Sequence, residues 1–387
     1  MSEVPGAEND PLLAEVRRAV EALGLAQVYR QLDARPRFPW EEFRSLGAHG
    51  LLGLTLPPEF GGRGISTLRA AEALHALAAA AGTTFAKLAI QPEFSSVLAR
   101  EGAPELRAAY FLPMMRGKRL IANHVTEPAA GSDLRAIATT AERTGPVYVV
   151  NGTKSQAAFA VDAQAAIVYV RVKGSAASGL TALLVPQDLI GIQRRVVDDL
   201  GERWMRRGTV TYSSVEVPVD HRLGDEGRAL EYLKEELVHE RVLLAAIYLG
   251  VAGASWEETS AHVGRRAVFG KRLADQEAVA FPLAEDRARL DAAWLYIREV
   301  AAQADAGTVS AGRAALAKWL AVDVALRTLD HAIQFHGGQG YSKELPHEQR
   351  WRDVRSGALA HGPSEVMLWI AARELWPTAP PAGAPTG

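Results

Sequence analysis

Two hydroxyl side chains mark one segment of this chain as a place where a polar ligand could bind. Thr126 and Ser132 lie in the run from Val125 to Asp133, Val-Thr-Glu-Pro-Ala-Ala-Gly-Ser-Asp. Pro128 fixes one backbone dihedral and lacks a donor, whereas Gly131 permits a left-handed turn or a close approach. A strand that enters such a turn presents hydroxyls and free backbone amides. We therefore predict a rigid loop that forms one wall of a ligand site.

Glu240 and His361 are the side chains whose chemistry suits proton transfer. Glu240 precedes Arg241 in a long helical pattern, where a carboxylate could act as a base, although charged residues on amphipathic helices usually face water. His361 lies in Ala-His-Gly-Pro-Ser and has an ordinary pKa of about 6.5, which suits a base near neutral pH. It could equally be a loop histidine that donates a hydrogen bond, and the sequence leaves both interpretations open.

A glycine-rich segment near the C-terminal end is the third candidate. Gln334 is followed by Phe-His-Gly-Gly-Gln-Gly-Tyr, in which Gly337 and Gly338 are adjacent. Glycines let backbone amides approach phosphate oxygens closely, so this run could bind a phosphate group. The alternative is an ordinary helix stop.

The elements that must position these residues follow from the periodicity of apolar residues. Residues 1–119 show three- and four-residue spacing, which predicts an all-α N-terminal domain. Residues 120–225 contain short runs rich in β-branched and aromatic residues, which predict an antiparallel sheet or small barrel. Four long helical patterns within 226–376 predict a bundle. The fold class predicted is therefore mostly α with a central antiparallel β domain.

Two local predictions accompany this division. Asn151-Gly152 directly follows the run Val147–Val150, and this pair supplies the positive φ angles of a tight hairpin, so we expect a turn there. The last residues, 377–387, are rich in Pro, Ala and Gly, which predicts a disordered tail.

Composition narrows the classes of protein to consider. The chain has 387 residues, 48% of them hydrophobic, which allows a sizeable core in two or three domains. With 43 basic and 45 acidic residues, the chain has a net charge of −2, which does not indicate binding to nucleic acid or to an anionic membrane. The absence of cysteine excludes disulfides and thiolate chemistry. No metal site is expected. The N-terminus lacks an apolar signal segment, so we expect a cytoplasmic protein.

Taken together, the hydroxyl-bearing segment, the Glu240-Arg241 pair and the glycine-rich segment resemble the acyl-CoA dehydrogenase family, from about Leu51 to Arg373. The resemblance implies an α-helical N-domain, a β-barrel-like middle domain and a C-terminal four-helix bundle. It further implies an FAD-dependent oxidoreductase that desaturates an acyl thioester carried by coenzyme A or by acyl-carrier protein. An electron-transferring flavoprotein would accept the electrons. A homodimer, homotetramer or heterotetramer with a related subunit is expected.

The resemblance also implies roles for individual residues. Thr126 and Ser132 would contact the flavin, while Ser132 and Arg241 would contact the substrate. Residues lent to the flavin of a neighbouring subunit would be Arg266, Phe269, Gln334, Gly337 and Gly338.

The resemblance places the base on the first bundle helix. Most members carry a glutamate where this chain has His361, whereas a minority carry it at the position of Glu240. We therefore predict Glu240 as the base, with His361 as the second candidate.

Some family positions carry other residues. Asn123 stands where a tyrosine or phenylalanine is usual, and Gln156-Ala157-Ala158 replaces a Trp-x-Thr or Trp-x-Ser that packs on the flavin. Two alternatives follow. The chain could be the degenerate partner in a heteromeric dehydrogenase, with a weak or empty flavin site of its own. It could also be a flavin-dependent monooxygenase or N-hydroxylase on the same fold, which needs no base for an α-proton.

Overall fold

The N-terminal part of the fold is helical. The structure, a computed structural model, describes residues 10–175, 177 and 179–376; the tail predicted at 377–387 lies outside them. Asp10 caps the first helix by accepting from the backbone amides of Leu12 and Leu13, at 2.9 and 3.2 Å. The helices are α1 (Pro11–Leu23), α2 (Leu25–Ala34), α3 (Trp40–Ala48), α4 (Thr67–Ala89), α5 (Ser96–Glu101), α6 (Pro104–Leu106) and α7 (Leu112–Met115).

The middle part is a sheet, as the short β-branched runs predict. Its strand order is β6-β7-β3-β2-β4-β5-β8, and β1 also pairs with β4. Most neighbours are antiparallel, but β1 and β2 both run parallel to β4, so the sheet is mixed where we expected antiparallel pairing throughout. The strands are β1 (Ile121–His124), β2 (Thr140–Thr144), β3 (Val147–Ala157), β4 (Ala165–Lys173), β5 (Thr181–Pro186), β6 (Ile192–Val196), β7 (Gly208–Pro218) and β8 (Arg222–Leu223).

The hairpin predicted at Asn151-Gly152 is wrong. β3 continues through both residues, and its pairing with β7 shifts register between Val150 and Gly152. The extra residue of this bulge lies on β7, where Ser213 and Ser214 stand opposite Asn151 and Ser214 has φ of 52°, so the pair itself stays within β3. The turn itself is Gly145-Pro146, where Gly145 has φ of 60° between the paired strands β2 and β3.

Long helices form the C-terminal part. α8 packs against α4, α9 and α10, and every residue from Glu240 to Ala252 is buried. A helix enclosed on all sides needs apolar residues around its whole circumference, so the charged residues at one end of this stretch stand out. The helices are α8 (Ala229–Arg265), α9 (Glu277–Asp305), α10 (Ala311–Phe335), α11 (His347–Arg355) and α12 (Ser364–Leu375); the hairpin β9 (Ala267–Val268) and β10 (Lys271–Arg272) follows α8.

Two stretches of the described chain, Thr67–Glu101 and Ala229–Arg265, are long and apolar enough to cross a membrane by length and composition alone. Their most apolar windows are 78% and 72% buried inside the fold. A core helix of a globular protein has the same composition, so these helices are weak evidence for a membrane span.

Candidate active site

Glu240 occupies the buried middle of α8 and is only 3% exposed. Burial raises its pKa well above the ordinary value, and the negative charge of Glu236 raises it further, whereas Arg241 acts in the opposite direction. Among the described residues, none forms a hydrogen bond with its carboxyl group. A carboxylate in these surroundings gains a proton more readily than an exposed one, which suits a general base.

The loop that carries His361 lies against the same part of α8. Arg241 Nε donates to the His361 carbonyl oxygen at 3.3 Å. From α10, the buried Lys318 Nζ donates to the carbonyl oxygens of Ala360 and Gly362, at 2.8 and 2.7 Å. These bonds hold His361 in a left-handed conformation with φ of 53°. The two candidate bases therefore belong to one site.

The charges around His361 make its imidazole a weak base. Burial lowers its pKa to about 3, and the positive charges of Lys87, Lys318 and Arg241 contribute. Its Nδ1 atom is buried without a hydrogen-bond partner in the described chain. The ring stacks on Phe94, with centroids 5.0 Å apart and planes at 25°. His361 is thus uncharged near neutral pH and forms part of a wall.

The segment predicted to form a rigid loop is rigid because of an ion pair that sequence reasoning missed. Glu127 follows Thr126 and accepts from Thr139 Oγ1 at 2.5 Å, from the Ala138 amide at 2.7 Å and from Lys154 Nζ at 2.9 Å. Burial alone would raise the pKa of Glu127, but these hydrogen bonds lower it to about 2. No pattern in the sequence connects Glu127 with Lys154, which are 27 residues apart along the chain.

Lys154 completes this arrangement from β3. It is fully buried and also donates to the carbonyl oxygens of Val125 and Tyr169, at 3.0 and 2.7 Å. Burial lowers the pKa of Lys154 to about 8, against the effect of Glu127. Since three acceptors surround the ammonium group, it stays charged near neutral pH. The pair ties the loop to β3 and β4.

Thr126 and Ser132 keep their hydroxyls available on this loop. Thr126 is half-buried and Ser132 is exposed, and neither hydroxyl has a hydrogen bond within the described part of the chain. Asn123, just before the loop, donates from Nδ2 to the Phe94 carbonyl oxygen. Because Phe94 stacks on His361, this contact joins the start of the loop to the Glu240 region.

The residues predicted to serve a neighbouring subunit form a second surface, separate from Glu240. All five are exposed: Arg266, Phe269, Gln334, Gly337 and Gly338. Phe269 is 99% exposed at the tip of the β9–β10 hairpin, where Phe269 and Gly270 have φ of 51° and 77°. A Cβ atom placed on Gly337 or Gly338 would meet no other atom within 4 Å, so a ligand can approach their backbone closely. In the described chain, no hydrogen bond or ion pair joins this surface to Glu240.

These groups fit the FAD that the family resemblance implies. Thr126 and Ser132 offer unpaired hydroxyls on one surface, and the Gly337-Gly338 backbone and the exposed Phe269 ring suit phosphate and aromatic groups on the other. Gln156, in place of the usual tryptophan, is exposed with φ of 53° and adds no aromatic ring.

Comparisons with known proteins cover nearly the whole chain. Three domain families match in order: acyl-CoA dehydrogenase N-terminal domain at residues 7–118, middle domain at 122–215 and C-terminal domain at 227–376. They give no support to the partner-subunit and monooxygenase alternatives.

Individual relatives agree. The probable acyl-CoA dehydrogenase YngJ of Bacillus subtilis is 31% identical, covering 89% of this chain and 92% of that one. Benzylmalonyl-CoA dehydrogenase of Aromatoleum aromaticum is 32% identical, with the same 89% and 92% coverage. A solved structure described as the electron transferring flavoprotein of Acidaminococcus fermentans superposes with a TM-score of 0.88 at 25% identity, over 95% of this chain and 97% of the other. The chain therefore belongs to the acyl-CoA dehydrogenase family, and it is an FAD-dependent oxidoreductase.

Proposed function

We propose that this flavin oxidoreductase introduces a double bond between the α- and β-carbons of an acyl thioester, with Glu240 as the base. The observation that carries the proposal is the state of Glu240: it is buried, without a hydrogen bond from the described residues, and its pKa is raised. A group that gains a proton easily in a water-excluded site is what removal of a weakly acidic α-proton requires.

The residues of this chain divide the work between proton transfer and positioning. Bound FAD supplies an acceptor for the hydride that leaves the β-carbon. Glu240 takes the α-proton onto its carboxylate oxygen, and burial stabilises the neutral acid that results. Arg241 and Lys318 hold the His361 loop beside it. Thr126 and Ser132 offer hydroxyls to cofactor and thioester, and the Glu127–Lys154 pair keeps their loop in place.

The same proposal extends to partners. Family relatives named for coenzyme A thioesters support an acyl-CoA substrate, and acyl-carrier protein is the alternative carrier. Similarity to a structure described as an electron transferring flavoprotein supports such a protein as the electron acceptor. The exposed Arg266, Phe269 and Gly337-Gly338 support a dimer or tetramer in which each subunit completes its neighbour's cofactor site. We propose that the protein is located in the cytoplasm.

The test is the visible spectrum of the purified protein under anaerobic conditions. Acyl thioester should bleach the flavin of the wild-type protein. Glu240→Gln should keep the flavin but slow bleaching by about 10²–10⁴-fold, the usual contribution of a general base.

Two variants control this test. Glu235→Gln changes an exposed glutamate on the same helix and should bleach like the wild type, since its side chain is 66% exposed beside Arg100. His361→Ala should retain measurable bleaching. If His361→Ala abolishes bleaching and Glu240→Gln does not, the base has been assigned wrongly.

A further inference from the structure

Two more buried carboxyl groups adjoin the proposed base. Glu236 precedes Glu240 by one turn on α8 and is 4% exposed, and Glu93 begins the single-turn helix Glu93–Ser95 and is 3% exposed. Their negative charges act on Glu240 and raise its pKa beyond the effect of burial, so both lie within electrostatic reach of it. Glu236 also accepts from Ser96 and Val97, three and four residues after Glu93, so the three carboxyl groups belong to one region of the fold.

Each of these carboxyl groups has one partnered and one unpartnered oxygen. Glu93 Oε1 accepts from the Thr55 amide and Oγ1 at 3.4 and 3.3 Å, and Glu236 Oε1 accepts from Ser96 Oγ at 2.7 Å and the Val97 amide at 2.5 Å. Both Oε2 atoms are buried without a hydrogen-bond partner in the described chain. Leaving a buried polar group unpaired costs about 1–3 kcal/mol.

A third element contributes an unpaired polar atom to the same place. Tyr169, on β4, is fully buried, and its hydroxyl lacks a partner among the described residues. Burial raises its pKa, and the charges of Glu236 and Glu240 raise it further. Asn123 Oδ1, on the adjoining β1, is also buried and has no partner among the described residues. Because Asn123 also donates to the carbonyl oxygen of Phe94, next to Glu93, unpaired polar atoms from a helix, a turn and the sheet lie in one region of the fold.

Neither Glu93 nor Glu236 forms an ion pair with any described residue. Arg100, which pairs with Glu235, acts on Glu236 without such a contact and lowers its pKa against the effect of burial. Burial raises the pKa of each to about 7, against the hydrogen bonds that each accepts. Burying a carboxyl group is unfavourable unless its oxygens accept hydrogen bonds, so buried carboxyl groups in proteins normally have partners. A hydrogen-bond donor on a ligand would satisfy both free oxygens.

We propose that these oxygens bind a hydroxyl or amino group on the acyl chain, so that the substrate is a polar acyl thioester and not a plain hydrocarbon one. This inference rests on the proposed desaturation. A hydrocarbon chain would leave Glu93 Oε2 and Glu236 Oε2 unpaired. An acyl chain ending in a carboxylate would bring a third like charge to them.

The test compares four acyl groups of the same backbone length on the flavin-loaded protein: butanoyl, 4-hydroxybutanoyl, 4-aminobutanoyl and succinyl. Each is supplied as its coenzyme A and its pantetheine thioester, and kcat/KM is measured with an artificial electron acceptor. At least one donor-bearing group should exceed butanoyl by roughly tenfold or more, as one or two hydrogen bonds to a charged group allow. Succinyl should be the poorest. The hydroxyl and amino arms tell which donor is preferred.

Variants connect the preference to the two carboxyl groups. Glu93→Leu and Glu236→Leu should each bring the ratio of donor-bearing to butanoyl substrate toward one. The exposed Glu235→Leu should leave the ratio unchanged. If a leucine variant does not fold, Glu93→Gln or Glu236→Gln keeps the shape, and the preference for the amino group in particular should fall.

The outcomes separate this inference from the function on which it rests. Butanoyl turnover equal to or above that of both donor-bearing groups overturns the inference alone, as does a preference that survives both leucine variants. If none of the thioesters bleaches the flavin, desaturation itself is wrong and the inference falls with it.

Discussion

Glu127 and Glu240 are almost equally hidden from water, at 7% and 3% exposure, yet their surroundings drive them toward opposite charge states. Glu127 receives donors from Ala138, Thr139 and Lys154, and its pKa falls to about 2. Glu240 has no such donor within the described chain, stands close to Glu236, and its pKa rises. Both the hydrogen-bond donors to Glu127 and the deeper position of Glu240 within the fold contribute to the difference.

This contrast separates a structural carboxylate from a reactive one. Glu127 is held ionised at all ordinary pH values, so it can fix a loop but cannot exchange a proton during a reaction. Burial and the charge of Glu236 raise the pKa of Glu240, so its carboxylate takes up a proton more readily than an exposed glutamate does. The same residue type therefore serves two purposes in one fold.

The largest effect on stability is expected from breaking the structural pair. Lys154→Met leaves Glu127 without its cation, and the carbonyl oxygens of Val125 and Tyr169 without a donor. Removing one partner of a buried pair should lower the free energy of unfolding by about 3–5 kcal/mol. Urea denaturation followed by circular dichroism measures it.

An exposed pair provides the matched control. Lys173 lies 3.7 Å from Glu142, with 57% and 63% of their side chains exposed. Lys173→Met should change the free energy of unfolding by no more than about 1 kcal/mol, because exposed ion pairs contribute little. Equal effects of the two substitutions would remove the structural role assigned to Lys154.

A smaller effect is expected on the pH dependence of bleaching, which follows the pKa of Glu240. The base form of Glu240 is the carboxylate, and its pKa is raised, so bleaching should quicken as the pH increases toward and through that value. Glu236→Gln removes a negative charge and lowers the pKa of Glu240. The rise should then move to lower pH. Stopped-flow bleaching across a pH series measures this shift.

The exposed Glu235→Gln is again the control, and its pH profile should stay close to the wild type because solvent screens the charge. If the pH profile of Glu236→Gln matches that of the wild type, Glu236 does not set the proton affinity of Glu240.

The smallest effect concerns a single donor to Glu127. Thr139→Val removes the hydroxyl that donates at 2.5 Å and should cost about 1 kcal/mol. Because the pKa of Glu127 is depressed from 4.5 to about 2, its stabilising contribution is present above about pH 4.5 and is lost as the pH falls toward 2. Losing a donor raises that pKa, so acid unfolding should begin at higher pH. Thermal unfolding between pH 2 and 6 tests this.

The neighbouring Thr140→Val is the control, since the Thr140 hydroxyl makes no hydrogen bond with the described residues. An acid transition that moves equally in both variants would contradict the role given to the Thr139 hydroxyl.

Periodicity was a good guide to the helices of this protein and a poorer one to its turns. Four long helical patterns were expected within 226–376, and the long helices α8, α9, α10 and α12 lie there. Apolar spacing over many residues carries that information. The Asn151-Gly152 pair misled because glycine also occurs inside strands, and pairing with β7 keeps both residues within β3.

The candidate site was predictable where it depended on residue type. Thr126 and Ser132 could be named from the residue types of their segment, and Glu240 and His361 because they match the two positions of the base in the family. Their assigned roles stay predictions. Glu93 and Glu236 could not be named, because a glutamate in a helical pattern is normally solvated. Only the packing of α8 against other elements removes them from water.

The sequence by itself determined the order of helical and β segments, the absence of thiol chemistry and the family to which the chain belongs. Tertiary structure alone decided which glutamates are anchored as anions and which are poised to accept protons. The physical reason is that the pKa of a buried group depends on donors and charges brought close in space, often from residues far apart along the chain.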